Sequence, residues 1–493
     1  MGEAALLAID QGTSSSRAMA FSSSGELLGI EQQSFESLYP APGWVEHDPE
    51  VLWATVLSTS RTLLGRLRAA GHRVIAIGLT NQRETSIVWN RRTGAPIYNA
   101  IVWQDRRTAQ RCRELARAGH ESLVAERTGL RLDPYFSATK LAWILDAVPG
   151  ARSAAQAGEL AFGTVDSFLL WRLTGGKSHL TDASNASRTA LYDIREGCWD
   201  TALCELFAVP PRGLPQVRDS AGDFGTTAPE LYGELLPIRG VAGDQQAALL
   251  GQGCLQPGDA KCTYGTGAFL VANTGEHLVS SSSQLISTIA WRIGGRVTFA
   301  IEGSILSAGS IVKWLRDALG LFTRSEQIET LAGSVTGSGG VHLIPAFTGL
   351  GAPYWDPDAR AALLGLTPQS GRAEIARAAL ESVVYQSCDL IEALAQDGVA
   401  PALLKVDGGM ARNSLFCQLL ADMLNLPVLR PRMEEASAFG AACLAGLGQG
   451  TYRSLEQIST LWQSSGRYVP RIDAPVRAAA MAGWRAALRR VRT

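Results

Sequence analysis

Two stretches in opposite halves of the chain read as the same device: Ile9-Asp10-Gln11-Gly12-Thr13-Ser14-Ser15-Ser16-Arg17 and Thr263-Tyr264-Gly265-Thr266-Gly267-Ala268-Phe269. The first follows an apolar run over 5–9, which predicts a strand ending at Asp10. The turn beyond it offers small residues, hydroxyls and bare backbone N–H groups, a combination that suits an anion. The Asp10 carboxylate would repel a naked phosphate, and makes sense when a hydrated Mg²⁺ sits between the two. Taken alone, such a turn is as well explained by serine hydroxyls capping nearby backbone. Its repetition at 263–269 favours a nucleotide held by its phosphates from both sides.

A chain of 493 residues exceeds the size at which a single core stops growing, so two domains with a cleft between them are expected. The formal net charge of −1 supplies no field to recruit nucleic acid or an anionic membrane surface, which favours a small-molecule partner. Eight cysteines are scattered without C-x-x-C or zinc-type spacing and read as reduced thiols. The N-terminus lacks a basic leader region, and no apolar run is long enough to span a bilayer. The expectation is a soluble, cytoplasmic protein without membrane insertion.

An α/β rhythm runs through the first half: strands over 5–10, 25–31 and 74–80, a helix over 49–70, and a strand over 239–244 leading into a helix over 245–252. The segments 82–90 and 100–103 suggest an antiparallel hairpin of the kind that decorates a cleft rim, with helices near 108–118 and 137–145. A turn at 256–259 precedes the second phosphate-type hairpin, which places the domain boundary so that the domains are 1–254 and 255–493. The second half repeats the theme with a strand over 297–302, helices over 306–319 and 372–395, a strand over 403–407 running into Gly408-Gly409, and a helix over 414–424. Strand, glycine turn and helix together suit an adenosine. The C-terminal 475–491 reads as an amphipathic helix with an arginine face.

A rival phosphate site, Gly175-Gly176-Lys177-Ser178, lacks the first glycine of a P-loop because Trp171 stands there, and is rejected. Phosphates would be held instead by backbone N–H groups, by the hydroxyls of Thr13, Ser14 and Thr266, and by Arg17, with Mg²⁺ offsetting the charge. Asp244 stands at a strand end among small residues; it reads as a helix cap or as a general base that takes the proton of an attacking hydroxyl. Arg83-Glu84 sets a bidentate donor beside an acceptor, which suits adjacent hydroxyls of a polyol, though a surface ion pair has the same appearance. Tyr135 adds a phenolic O–H, and Trp103 and Phe269 could wall the carbon side of a small polyol or lie in the core. The six histidines show no metal-type spacing.

These residues, with Pro42-Gly43-Trp44-Val45-Glu46-His47-Asp48, Thr80-Asn81-Gln82-Arg83-Glu84-Thr85, Asn185-Ala186-Ser187-Arg188-Thr189, Ala242-Gly243-Asp244-Gln245-Gln246 and Pro345-Ala346-Phe347-Thr348-Gly349-Leu350-Gly351, form an ordered set along almost the whole chain. In that set the chain resembles the FGGY carbohydrate kinases, within the actin and hexokinase-like ATPase superfamily. The resemblance implies an α/β fold of two ribonuclease-H-like domains around a cleft, and ATP-dependent, Mg²⁺-dependent phosphorylation of glycerol. Carried over by position, Arg83, Glu84, Tyr135, Asp244 and Gln245 would hold glycerol's hydroxyls, Asp244 being the base, with Trp103 and Phe269 flanking its carbons. Thr13, Ser14, Ser15 and Arg17 match the first phosphate loop, Thr266 the second, and Gly309, Gly409 and Asn413 the nucleotide contacts; Asp10 would position the metal through water. Lys313 stands where many relatives carry a glutamine near the adenine, so nucleotide contact is expected there without an identical contact to the base. Family habit implies a homodimer or tetramer. Phosphorylation of another polyol or sugar, such as xylulose or gluconate, is the nearest alternative; a noncatalytic actin-like nucleotide switch is the more distant one.

Overall fold

In the computed structural model, which describes residues 2–492, two large mixed sheets share a central five-strand pattern. The first contains β1 (Ala4–Gln11), β2 (Ser15–Ser22), β3 (Leu27–Ser34), β4 (Arg73–Asn81) and β5 (Ile238–Gly243), ordered β5-β4-β1-β2-β3. The second contains β6 (Ala260–Tyr264), β7 (Ala268–Gly275), β8 (Ile286–Ile293), β9 (Arg296–Ile305), β10 (Leu404–Asp407), β11 (Val428–Pro431) and β12 (Ser464–Tyr468). Its order is β8-β9-β7-β6-β10-β11-β12. In each, an antiparallel hairpin, β1–β2 or β6–β7, is extended on one side by a further antiparallel strand, β3 or β9, and on the other by two parallel strands, β4 then β5 or β10 then β11; the second sheet adds β8 and β12 as antiparallel edges. The repeated hairpins of the sequence are thus the first two strands of two equivalent sheets, the arrangement expected of paired ribonuclease-H-like domains.

Alternation along the strands assigns each face. On β1, Ala5, Leu7 and Ile9 join a cluster with Leu52, Val56, Leu63 and Leu64 of α1 (Pro49–Ala69), whereas Leu6 and Ala8 face the other way. α1 starts cleanly because the Asp48 carboxylate accepts the Glu50 N–H and Pro49 occupies the first turn. On β6, Ala260, Cys262 and Tyr264 pack on the outer helices α4 (Arg372–Gln396) and α5 (Ser414–Leu424), while Lys261 and Thr263 point inward. Chain order places two further helices ahead of α4: α2 (Asp244–Gly251) and α3 (Gly309–Asp317).

Between the sheets lies an inner layer made of α2 and α6 (Ala436–Gln449). Their shared cluster takes Leu6, Met19 and Phe21 from the first sheet and Val271, Ala290 and Ala300 from the second. α6 is the sequence Ala-Ser-Ala-Phe-Gly-Ala-Ala-Cys-Leu-Ala-Gly-Leu-Gly-Gln, almost without charge, as befits a helix buried on all sides. Its backbone approaches α2 so closely that a Cβ at Gly440 would stand 1.8 Å from the Ala247 carbonyl oxygen. Phe439 of α6 meets Phe21 of β2 with ring centroids 5.4 Å apart. Such a pair is worth about 0.5–1.5 kcal/mol beyond area burial. A helix from the second half of the chain therefore completes the core of the first sheet.

A small antiparallel sheet, Glu46–His47, Ala100–Ile101, Ser86–Asn90 and Leu160–Thr164, sits beside the first sheet and contains the expected rim hairpin. The helix expected over 306–319 begins only at Gly309, because β9 runs to Ile305. The glycine turn after β10 passes through a short 3₁₀ segment, Gly409–Arg412, before α5. Among the described residues no helix is long and apolar enough to cross a membrane. All eight cysteines are free thiols, and only Cys198 is exposed.

Candidate active site

The first phosphate-type turn closes with Gly12 N–H on the Ser15 carbonyl at 3.0 Å, leaving Thr13 partly exposed, Ser14 exposed and Ser15 buried. Asp10 and Arg17 stand directly opposite across β1 and β2 and pair at 3.0 Å. Arg17 also donates to Glu435, which precedes α6. The carboxylate that a phosphate would meet is therefore already half-neutralised, a point that sequence spacing did not reveal. In the second turn, Thr266 is exposed, and its carbonyl accepts the N–H groups of Ala308 and Ser310 at 2.9 and 3.1 Å. Gly309 opens α3 with its N–H on the Gly265 carbonyl at 2.8 Å, and a Cβ there would come within 2.6 Å of that oxygen. The Ser310 hydroxyl beside it is buried with no partner.

The polar cluster expected to meet a polyol stands just beyond β4. Arg83 and Glu84 follow its last residue, Asn81, after Gln82, and Glu84 is held at φ 60°, a left-handed conformation uncommon for a non-glycine residue and frequent at functional sites. Its carbonyl accepts the Ser86 and Ser137 hydroxyls, each at 3.0 Å, which fixes the turn. Asp244 is the first residue of α2; its carboxylate takes the Gln245 N–H at 2.7 Å and lies 3.2 Å from Arg83 Nε. The cap of α2 is Gly243, so the capping alternative for Asp244 does not hold. The Asp244 side chain keeps 30% exposure, enough to face a ligand.

Three rings converge beside these groups. Trp103 meets Tyr135 at 5.7 Å and Phe269 at 6.1 Å, both nearly edge-on, and the Arg83 guanidinium lies 5.9 Å from the Phe269 ring. Phe269 comes from β7, so the wall draws on both halves of the chain. The Tyr135 loop is pinned by buried Lys140, whose ammonium donates to the Pro134, Tyr135 and Phe136 carbonyls. Burial lowers the Lys140 pKa to about 8. Gln245 is held by buried Lys261, which also donates to Thr263 Oγ1 at 2.8 Å.

Electrostatics divide the acids into two kinds. Burial pushes Asp244 and Asp10 upward, and each would rise further without Arg83 and Arg17 respectively; the Asp10 charge itself raises Asp244. Burial likewise raises Glu84, opposed by Arg188 and Arg83. Glu302 is the opposite case: burial would raise it, but Arg188 and Arg83 outweigh burial and hold it at about 2. Tyr135 is raised by burial and stays a hydroxyl donor.

The structure brings Arg83, Glu84, Asp244, Trp103, Tyr135 and Phe269 together, with Gln245 joined to Asp244 through its backbone N–H and its side chain held by Lys261. Asn413 caps α5 by accepting the Phe416 N–H at 2.9 Å, Gly409 is exposed at the start of the 3₁₀ segment, and Lys313 is exposed on α3. Sequence reasoning missed Arg188 as a site residue, and missed Glu302, Lys261 and Lys140. An isolated lysine in an apolar segment, as at Lys140, is the only one of these signals that a sequence displays.

Residues 5–251 match the N-terminal domain of the FGGY family of carbohydrate kinases, and residues 260–448 match its C-terminal domain. The chain is 55% identical to a glycerol kinase of Rhodospirillum centenum, over 100% of this chain and 99% of that one. It superposes on the crystal structure of Plasmodium falciparum glycerol kinase with ADP at a TM-score of 0.94, with 34% identity, covering 99% of this chain and 98% of that one. A gluconate kinase from Lactobacillus acidophilus superposes at 0.88 with 19% identity over 99% and 98% of the two chains, a likeness of fold alone.

Proposed function

Because the chain belongs to the FGGY family of carbohydrate kinases, we infer that it transfers the γ-phosphoryl group of ATP to glycerol, giving sn-glycerol 3-phosphate and ADP. The observation that carries this reading is the small acceptor site. Arg83, Glu84 and Asp244 offer donors and acceptors to adjacent hydroxyls, and the Trp103, Tyr135 and Phe269 rings leave an apolar wall for a short carbon chain. Full-length identity to glycerol kinases points to the same substrate.

The two turns fit a nucleotide. The first turn offers the exposed Ser14 and partly exposed Thr13, and the second offers exposed Thr266 and the unpartnered Ser310 hydroxyl beside backbone that packs too closely for any side chain at Gly309. Thr13, Ser14, Ser15, Arg17 and Thr266 are assigned to the phosphates, and Gly309, Lys313, Gly409 and Asn413 to the nucleoside side. Mg²⁺ is assigned to the phosphates, with Asp10 as the carboxylate that would meet it. When bound, Mg²⁺ neutralises charge on the phosphates.

Asp244 takes the proton from glycerol's terminal hydroxyl as its oxygen bonds to the γ-phosphorus and the bond to the β–γ bridging oxygen breaks, releasing ADP. The proton ends on the Asp244 carboxylate and passes to solvent. In a loose transition state that proton leaves late, so a carboxylate suffices as base. Arg83 holds the base in place through its Nε, and the ring wall excludes water that would otherwise compete. Operation in the cytoplasm as a homo-oligomer is part of the same reading.

The deciding experiment measures ADP release by purified protein with Mg²⁺ and ATP against glycerol, xylulose, gluconate and no acceptor. Stimulation by glycerol alone is expected. Stimulation by another acceptor would overturn the reading of the pocket, and acceptor-independent hydrolysis would overturn the assignment as a kinase.

A further inference from the structure

Asp244 and Gln245 share the first turn of α2, a helix tied to the second sheet at both ends. At its far end the Gln252 amide donates to Asp407 of β10 at 2.7 Å and accepts the Trp462 indole N–H at 3.0 Å, while Lys405 donates to the Gln252 carbonyl at 2.8 Å. At its start the Gln246 amide nitrogen reaches the Thr288 hydroxyl and the Ile289 carbonyl of β8, each at 3.3 Å. A further tie there is charged. The Lys261 ammonium of β6 donates to Gln245 Oε1 and, at 2.8 Å, to Thr263 Oγ1. Lys261 is fully buried and faces the same way as Thr263, which lies two residues nearer the turn between β6 and β7. Burial lowers its pKa, and the Asp407 and Asp244 carboxylates oppose that shift and support the charged form.

The consequence concerns the polarity of one amide. An ammonium donates and cannot accept, so it bonds a carboxamide only through the oxygen. With Oε1 taken by Lys261, the Gln245 side chain turns its NH2 group the other way. Among the described residues that nitrogen donates to no protein group, yet it stays accessible. We propose that Lys261 is a positioning residue of the reaction: it fixes the Gln245 amide with its NH2 group toward the acceptor, and ties that amide to the strand leading into the turn between β6 and β7. Asp244 then takes the proton of the attacking hydroxyl while Gln245 offers a donor to an oxygen of the same molecule. Without the ammonium the amide is free to present its oxygen instead, and the acceptor loses a fixed partner. The proposal rests on the reading of this site as the acceptor site of a polyol kinase.

The test is a double-mutant cycle of Lys261→Met and Gln245→Ala, read as kcat/KM for glycerol with MgATP saturating. Each single variant is expected to lower that value by about tenfold or more, the scale of losing a hydrogen bond to a charged group or a substrate contact that it aligns. If Lys261 acts through Gln245, the pair is worse than the more damaged single variant by no more than about twofold. Losses that multiply would place the action of Lys261 elsewhere and overturn the proposal, as would an unchanged value in Lys261→Met. Should Lys261→Met not yield folded protein, Gln245→Glu keeps an oxygen for Lys261 and deletes the amide donor. Measured at alkaline pH, where Asp244 is ionised, it is expected to lower kcat/KM by about tenfold or more, and an unchanged value is again decisive against the proposal. Wild-type protein that phosphorylates no glycerol would instead refute the underlying reading, and the proposal with it, independently of any variant.

Discussion

Trp103 donates its indole N–H to the Thr13 hydroxyl across 2.9 Å, fastening the aromatic wall to the turn between β1 and β2. The same ring meets Tyr135 and Phe269, so under the proposed function one side chain would register the acceptor against the phosphates. Reaction between two bound molecules depends on such registration, because a small misplacement of the attacking oxygen costs rate steeply.

Trp103→Phe keeps an aromatic wall and deletes the donor. Loss of one hydrogen bond, worth about 0.5–1.5 kcal/mol, should raise the KM for both glycerol and ATP by roughly two- to tenfold. Steady-state kinetics with each substrate varied in turn checks this; a change confined to glycerol would mean that the bond to Thr13 does not link the two sites.

Asp244→Asn should lower kcat by about 10²–10⁴-fold, the usual scale for removing a general base, while glycerol binding by calorimetry changes little. The amide oxygen can still accept from Arg83 Nε. Equal loss of binding and turnover would refute its role as chiefly a base. In the wild type, the base works only when ionised, and burial raises its pKa. Activity is therefore present above that raised pKa and lost as pH falls through it. The acid limb of kcat/KM should sit above the pKa of an ordinary aspartate and vanish with the substitution.

Gly309→Ala places a methyl group 2.6 Å from the Gly265 carbonyl oxygen and must push α3 away from the second turn. Overpacking of this kind costs about 1–3 kcal/mol. ATP affinity should fall by about tenfold or more, with glycerol binding nearly intact. Fluorescence titration with a nucleotide analogue would measure it, and unchanged affinity would detach this helix start from the nucleotide.

Asp166 is fully buried between the Thr164 and Thr181 hydroxyls, at 2.5 and 2.6 Å, and burial lifts its pKa to about 7. The folded protein then keeps a proton that the unfolded chain releases near pH 4, so this group's contribution to stability falls as pH rises toward 7. Asp166→Asn has no such loss. Its stability relative to wild type should climb by up to about 4 kcal/mol between pH 4 and 7, at ~1.4 kcal/mol per pH unit, and stay level above. Chemical denaturation at several pH values tests this; a difference that stays flat across the range would contradict it.

The phosphate turns were legible because their chemistry is local. A strand end, a glycine and adjacent hydroxyls occupy consecutive positions, and the two sheets then put both turns at equivalent places. Arg83, Glu84 and Asp244 were legible in the same way, Asp244 directly after a strand and the other two within three residues of one. Glu302 was not, because an acid within the strand pattern Val297 to Glu302 looks like a solvent-facing position until Arg83 and Arg188 are brought against it. The pairing of Asp10 with Arg17 needed the hairpin register, which fixes which residues face each other and cannot be counted from sequence without the turn length. The sequence analysis did not pick out α6 at all, and although its uncharged composition is visible there, nothing local says that it would lie between the two sheets.

That last arrangement has a consequence for how the chain is made. β1 to β5 emerge from the ribosome with one face of the sheet finished by α1, while the face bearing Leu6, Met19 and Phe21 waits for α6, made near the end of synthesis. Until then that greasy surface stands open to whatever is nearby in the cell, and a truncated product ending at the apparent boundary between the halves would keep it open permanently. The molecule cannot be assembled as two beads in succession; the late segment threads back to lock the early one, and the nascent chain depends on being shielded for the interval.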